Sequence, residues 1–386
     1  MKISSIRFAM NTIQWGTVLA LLVLQVLLII HSQEIRQCHD ALNADPNLCS
    51  ASAFTAEVAS TNLDGDMTSN VKDKKKSMFL RWDYDVLIKS EEELKCMIRY
   101  SFEYYGVKKV EALDAMIDVV QKAMPENPFH NFHHVSAVVH SSFVMLALGG
   151  ADKYLTKEEA LVVQLAGLFH DLYHPGHDNA MEVKMQSKYA KKYHNESVLE
   201  NVSIDAAVND ILREYGFEFM SENFDTISHS GNAIEALKQL ILYTDMKKHN
   251  EVCNMLEGFT KRCLLRGDNG ELPLASDRRI LMFSLLHIAD LSNTAHPDFE
   301  VARKWAGRIR EEFKSQAKAE IELNLPVNPM MTNLDDELSV ARLQVGFIQF
   351  IRSIFLTIGT LTPALQTMSE RLANNLLQWD EITRNN

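Results

Sequence analysis

The sequence predicts an all-α fold: one compact, multi-helix domain over residues 79–386, preceded by a single hydrophobic helix at the N-terminus. Three observations carry that prediction. From Phe79 onwards apolar residues recur at spacings of three and four, the period of a helix with one buried face. Runs that alternate apolar and polar residues, the mark of a half-buried strand, are nearly absent. Ser90 with Glu93, and Thr156 with Glu159, form the pattern of a capped helix start.

Taken in order, residues 1–31 hold an almost unbroken apolar run from Trp15 to Ile30, interrupted only by Gly16, Thr17 and Gln25. A spanning helix needs ~20 residues, which Ile13 and the flanks supply. The run is longer than a signal-peptide core and no A-x-A site follows it, so a membrane anchor is favoured over a cleaved signal. Residues 32–78 are polar, with Asp64-Gly65-Asp66 and a Lys-rich run from Lys72 to Lys76, and read as a linker or stalk. The first capping box then leads into Leu94, Met97, Ile98 and Phe102, and the second into Leu161, Leu165, Leu168 and Phe169. Later helices are expected at 234–243, 280–288, 301–313 and 343–358, with no internal repeat of fixed period.

Composition bounds the function. The 46% apolar content is ample for a core, and the net charge of -12 argues against a nucleic-acid partner, which needs clustered Lys and Arg. It does not argue against a small anionic substrate, because bound metal ions reverse the local sign of a site. The five cysteines form no CxxC pair. Cys96, Cys253 and Cys263 read as small buried apolar residues, whereas Cys38 and Cys49 could pair in an oxidising compartment.

The chemistry is organised around His170-Asp171, which ends an apolar run from Leu161 to Phe169. An imidazole and a carboxylate at the mouth of a greasy helix are costly to bury without a partner, and a divalent ion suits both. Pro175-Gly176 then breaks the helix and turns the chain. His130 and His134 are spaced to share one helical face, and Asp290 ends a second greasy helix from Ile280. Together His134, His170, Asp171 and Asp290 offer two imidazoles and two carboxylates for a zinc-like ion, with Asp171 free to bridge to a harder ion such as Mg²⁺. Two ions so placed meet the needs of in-line phosphoester hydrolysis.

Five segments in register then make the chain resemble the catalytic domain of class I cyclic-nucleotide phosphodiesterases over roughly residues 80–380. They are His130-Asn131-x-x-His134, His170-Asp171-x-x-His174-Pro175-Gly176-x-x-Asn179, Thr244-Asp245-Met246, Ala289-Asp290-Leu291-Ser292-Asn293 and Gln344-Val345-Gly346-Phe347-Ile348. The resemblance implies hydrolysis of cAMP and/or cGMP to the 5′-monophosphate, with Zn²⁺ in the first site and Mg²⁺ or Mn²⁺ in the second. It implies that His134, His170, Asp171 and Asp290 hold the first ion, that Asp171 also touches the second, and that His130 is the general acid. His174, Glu200 and Thr244 would order water around the ions, and Asp245 and Met246 would line the pocket beside them. Gln344 would read the purine, Phe347 and Ile309 would clamp it, and Asn293 beside them gives a slight lean towards cAMP. The same resemblance leaves room for a homodimer.

Three positions depart from the family pattern. Phe129 stands where Tyr is common, Val202-Ser203 replace a His pair, and the loop from Asn324 to Asp336 lacks the usual Asp-Arg or Asp-Lys after Pro329-Met330. None removes a metal ligand or the general acid. On topology, Lys2 and Arg7 ahead of the anchor favour an N-terminus inside and hence a catalytic domain outside, which a Cys38–Cys49 pair would also fit; other features oppose this. The acceptor motifs at Asn195 and Asn201, the Lys-rich run and the expected substrate favour a cytosolic catalytic domain, and that orientation is expected. Two other readings are an HD-type phosphohydrolase with another substrate, which has no use for Gln344, Phe347 and Ile309, and a silent nucleotide-binding regulator, which has no use for His130 and four intact ligands.

Overall fold

Both capping boxes form as hydrogen-bonded helix starts. In the computed structural model, Ser90 Oγ accepts the Glu93 amide while the Glu93 carboxylate accepts the Ser90 amide, and Thr156 and Glu159 repeat the exchange. Each satisfies two amides that a helix start otherwise leaves bare. The structure describes residues 78–224, 227–267 and 271–385, with the side chains of 227–231 left aside. The expected hydrophobic segment, its linker up to residue 77, Cys38 and Cys49 lie outside the described residues.

Among the described residues there are fourteen α-helices and no strand. They are α1 (Glu91–Tyr104), α2 (Glu111–Ala123), α3 (Phe132–Ala147), α4 (Lys157–Phe169), α5 (Asn179–Lys184), α6 (Lys188–Lys192), α7 (Val198–Asp205), α8 (Gly216–Asn223), α9 (Ile227–Leu242), α10 (His249–Arg266), α11 (Ala275–Leu291), α12 (Phe299–Glu322), α13 (Glu337–Gly359) and α14 (Pro363–Asn385). Helix α7 runs on into a wider π stretch over Ala206–Leu212, which the sequence did not signal.

The core is built on α3, α4 and α11, which pack on one another. Every residue of α4 from Ala160 to Phe169 is buried, as is every residue of α11 from Leu281 to Ala289. A helix apolar on all sides has no solvent face and is driven to the centre of a domain. Helices α1, α9 and α10 cover this centre, while α13 and α14 form a long antiparallel pair along its side. Helix α13 is apolar and long enough by length and composition to cross a membrane, yet it packs against α10 and α14 with Ile348, Ile351 and Ile354 fully buried.

The helices anticipated at 280–288, 301–313 and 343–358 are all longer than their apolar stripes, and the last two start from side-chain caps. Asp298 and Asp336 accept the amides of Glu300 and Ser339 at 2.9 and 2.8 Å. Cys253 and Cys263 are free thiols and only half-buried, so the expectation of full burial does not hold for them.

Candidate two-metal active site

The ends of the central helices deliver the expected ligands to one place. Helix α4 stops at Phe169 and His170 caps it. His170 Nδ1 lies 2.9 Å from the Gly167 carbonyl, which can only accept, so Nδ1 carries the proton and Nε2 keeps its lone pair. That Nε2 is 3.3 Å from His134 Nε2, 3.2 Å from Asp171 Oδ2 and 3.6 Å from Asp290 Oδ1. His134 Nε2 is in turn 3.3 Å from Asp171 Oδ2 and 3.1 Å from Asp290 Oδ1. Four donors at ~2.0–2.1 Å from one tetrahedral ion lie ~3.3–3.4 Å apart. The donor set therefore fits such an ion in chemistry, and His134, His170 and Asp290 together have the spacing for it.

Burial opposes charge on all four groups. His134 and His170 are nonetheless raised above the ordinary imidazole value by Asp171 and Asp290, and both carboxyls are held below their ordinary range by the two imidazoles. Two carboxyls held ionised at this burial leave negative charge that a divalent ion would neutralise, freeing both imidazoles to bind it as neutral rings.

His130 departs from the expected geometry. Asn131 caps α3, its Oδ1 accepting the amides of His133 and His134 at 3.0 and 3.2 Å, so the helix begins at Phe132. His130 therefore lies in the turn before the helix rather than one turn below His134 on its face. The Asn cap bends the chain and brings the His130 ring flat against His174, with centroids 3.8 Å apart and planes 24° apart. Asn127 Nδ2 fixes this approach by donating to the carbonyls of His130 and His174 at 3.0 and 2.8 Å.

Two residues that the sequence did not single out complete the arrangement. Glu312 on α12 is buried and engages His130 Nδ1, while its other oxygen accepts the backbone amides of Phe129 and His130. Burial pushes the Glu312 carboxyl up, but His130 outweighs this and holds it at about 2. Gln316, one turn on, is also buried and holds Asp178. A signal for both existed: Val301, Trp305, Glu312, Gln316 and Glu320 fall on the inward stripe of α12, and polar residues on a core-facing stripe need buried partners. Phe129, in the place where a hydroxyl was expected, packs edge-on against Trp305 at 5.4 Å and tilts over His134 at 4.7 Å.

His174 takes the tautomer of a neutral donor. The Gly176 amide donates to its Nδ1 at 3.2 Å, and burial, then His130, pushes its pKa down to about 3. Its Nε2 is left carrying the proton. Gly176 has φ of 78°, and a Cβ there would lie 2.8 Å from Asn127 Oδ1, so the turn requires glycine. Asp178 caps α5, and Asn179 then donates to both Glu200 oxygens at 3.2 and 3.0 Å. Burial and the nearby Asp245 push the Glu200 carboxyl up to about 7. Thr244 and Asp245 follow α9, which His287 on α11 pins by donating to the Tyr243 carbonyl at 2.7 Å. Asp245 accepts from Ser197 Oγ at 2.7 Å.

One cleft gathers His130, Asp171, His174, Glu200, Thr244, Asp245, Met246, Asp290 and Glu312. The residues expected to bind the base are placed differently. Gln344 is buried on α13, and Phe347 and Ile309 are half-buried against the hydrophobic core. Asn293 lies in the short turn after α11 and faces another cavity, lined also by Trp82, Tyr84 and Arg371.

With the geometry established, comparison with known proteins gives the lineage. The profile of the 3′,5′-cyclic nucleotide phosphodiesterase family matches residues 129–372. The chain belongs to this family. The match spans every ligand and the general-acid candidate, from Phe129 before His130 to α14. The phosphodiesterase domain of the Salpingoeca rosetta rhodopsin phosphodiesterase superposes with a TM-score of 0.72 at 30% identity, covering 81% of this chain and 94% of that one. The cGMP-specific 3′,5′-cGMP phosphodiesterase 3 of Dictyostelium discoideum is 30% identical over 68% of this chain and 54% of its own length. The high-affinity cGMP-specific 3′,5′-cyclic phosphodiesterase 9A of Mus musculus is 30% identical over 66% of this chain and 46% of its own. The chain thus spans about half the length of these curated relatives. The family is metal-dependent, and the His–Asp cluster of this chain is where such an ion fits.

Proposed function

We propose that the protein hydrolyses a 3′,5′-cyclic purine nucleotide, cAMP and/or cGMP, to the nucleoside 5′-monophosphate. The observation that carries this is one cleft lined by Asp171 and Asp290, which contact the buried His134 and His170, and by an imidazole–carboxylate pair, His130 with Glu312. His134, His170, Asp171 and Asp290 would hold Zn²⁺, and Asp171 would also face Mg²⁺ or Mn²⁺. Bound there, the ions supply positive charge that activates the attacking water and neutralises the phosphoryl oxygens. Water adds to phosphorus, the P–O3′ bond breaks, the proton from His130 ends on the 3′ oxygen, and the proton lost by the water returns to His130 through solvent. Glu312 holds His130 by Nδ1, which leaves Nε2 as the ring nitrogen free for that transfer. Glu200 and the neutral His174 order water beside Asp171, and Thr244, Asp245 and Met246 form the wall opposite.

Gln344, Phe347, Ile309 and Asn293 would select the base. Both curated relatives above are named for cGMP, which favours cGMP over the slight cAMP lean from Asn293. The test is hydrolysis of both nucleotides by the purified protein with Mg²⁺ or Mn²⁺. Turnover of neither, with metal bound, overturns the proposal and leaves a nucleotide-binding regulator; turnover of other phosphoesters only would make it an HD-type phosphohydrolase.

We further propose that residues 1–31 anchor the chain in a membrane with the catalytic domain on the cytosolic side. The apolar run from Trp15 to Ile30 supports the anchor. Asn201 supports the side: its amide nitrogen donates to the carbonyls of Glu196 and Ser197 at 3.1 and 2.9 Å, and a glycan would take one of the two hydrogens that make these bonds. Recovery of the full chain in the soluble fraction without detergent would sink the anchor. A glycan at Asn201 would sink the orientation.

A further inference from the structure

Glu312, Gln316 and Glu320 stand one turn apart along α12, all buried, and each holds a different part of the site. Glu320 is wholly buried and accepts three hydrogen bonds: from Lys184 Nζ at 2.7 Å, from the Asn328 amide at 3.0 Å and from Gln316 Nε2 at 3.2 Å. Lys184 also donates to the Pro326 carbonyl at 2.7 Å, so the loop between α12 and α13 is latched at two points. Gln316 then reaches the other way. Its Oε1 accepts the Asp178 amide and its Nε2 donates to Asp178 Oδ1, both at 2.9 Å. Asp178 caps α5 through the Met181 amide at 2.8 Å, and the adjoining Asn179 holds Glu200 and the Leu199 amide. An unbroken chain of bonds thus runs from the loop at Pro326–Asn328 to Glu200.

We infer that Gln316 and Glu320 are positioning residues that couple the order of the 323–336 loop to occupancy of the second-ion side of the cleft. Resting on the two-metal reading above, the inference adds a route by which the loop leading into α13, and so to Gln344, responds to the ion near Asp171. The bonding pattern gives the reason. A carboxylate as deeply buried as Glu320 is tolerated only with its donors in place, so loss of Lys184 or Asn328 from it is costly and the loop is held in one arrangement. Gln316 satisfies Glu320 and Asp178 with the same amide group, and its position is set by both. Any ordering of Asp178–Glu200 by an ion is therefore felt at Asn328, and by reciprocity the loop raises affinity for the ion.

The test is hydrogen exchange on the full chain, with Mg²⁺ as the only added ligand. In the unmodified protein Mg²⁺ should slow exchange in both 178–184 and 325–331. In Gln316→Leu the first segment should still respond and the second should not. Lys184→Met, at the outer end of the chain of bonds, should raise the Mg²⁺ concentration that half-protects 178–184 by about fivefold or more, the lower end of ordinary coupling. The inference is overturned if 325–331 ignores Mg²⁺ in the unmodified protein, if it responds unchanged in Gln316→Leu, or if Lys184→Met leaves the midpoint where it was. Should Gln316→Leu not fold, the half-exposed Lys184 variant decides alone. Loop protection without nucleotide turnover would sink the proposed activity and leave the coupling; turnover without loop protection would sink the coupling alone.

Discussion

Glu312 grips His130 at two levels: one carboxylate oxygen engages the ring at Nδ1, and the other accepts the His130 backbone amide at 3.1 Å. Ring and backbone are therefore fixed from the same group, 182 residues away in sequence. The free nitrogen of the imidazole is aimed by α12 rather than by the turn that carries it.

Glu312→Gln should lower kcat by about 10²-fold, the low end of a general acid's contribution, with little change in KM. The same carboxyl gives a pH signature. Its pKa in the fold is about 2, below the ordinary glutamate value of 4.5. A depressed acid stabilises the fold above its unfolded pKa, and that part is lost as pH falls from 4.5 towards 2. The Gln variant should lack this component of acid unfolding. An acid-unfolding curve identical to that of the parent would contradict the pairing.

Asp290→Ala removes one of the four donors clustered around His134 and His170. Activity should fall by roughly three orders of magnitude, several kcal/mol of transition-state charge stabilisation, together with the metal bound at the proposed first site. Elemental analysis of the purified variant checks it. Retained zinc at parental stoichiometry would mean that Asp290 is not a ligand.

The raised Glu200 carboxyl predicts a stability that depends on metal. Without metal its pKa of about 7 exceeds the unfolded value of 4.5, so the fold is favoured while the group is protonated. That contribution is present below pH 4.5 and lost as pH rises through 7. The Tm of metal-free protein should fall across this window. Glu200→Gln should flatten the fall, and so should Mg²⁺, whose charge favours the carboxylate. Equal slopes in parent and variant would assign the effect elsewhere.

Gly176→Ala should impair the site without emptying it. The added Cβ would press on Asn127, which ties His130 to His174, and φ of 78° strains any other residue. We expect kcat to fall about tenfold or more with bound zinc unchanged. Full activity would show that Asn127 can move at no cost.

Gln344→Ala should raise KM for the purine nucleotide at constant metal content, because Gln344 lies on α13 away from the ion cluster. A comparison of KM and zinc content in one preparation decides it. Loss of zinc would place Gln344 among the metal-holding residues.

Much of this was legible in the sequence. The helical period, the two capping boxes and the apolar runs before His170 and Asp290 determined the fold class and singled out residues that the structure brings together, because burial cost and capping are local properties of residue type and spacing. Spacing misplaced His130, since the Asn131 cap outweighed the helical period of two histidines. What only the tertiary structure decided is how distant helices meet. That Glu312 faces His130, that Gln316 and Glu320 link two loops, and that burial beside Asp245 raises Glu200 depend on the packing of α12 and α7 around the central helices. Hydrogen bonds and desolvation of this kind act across space over a few ångströms, and no period along the chain records them.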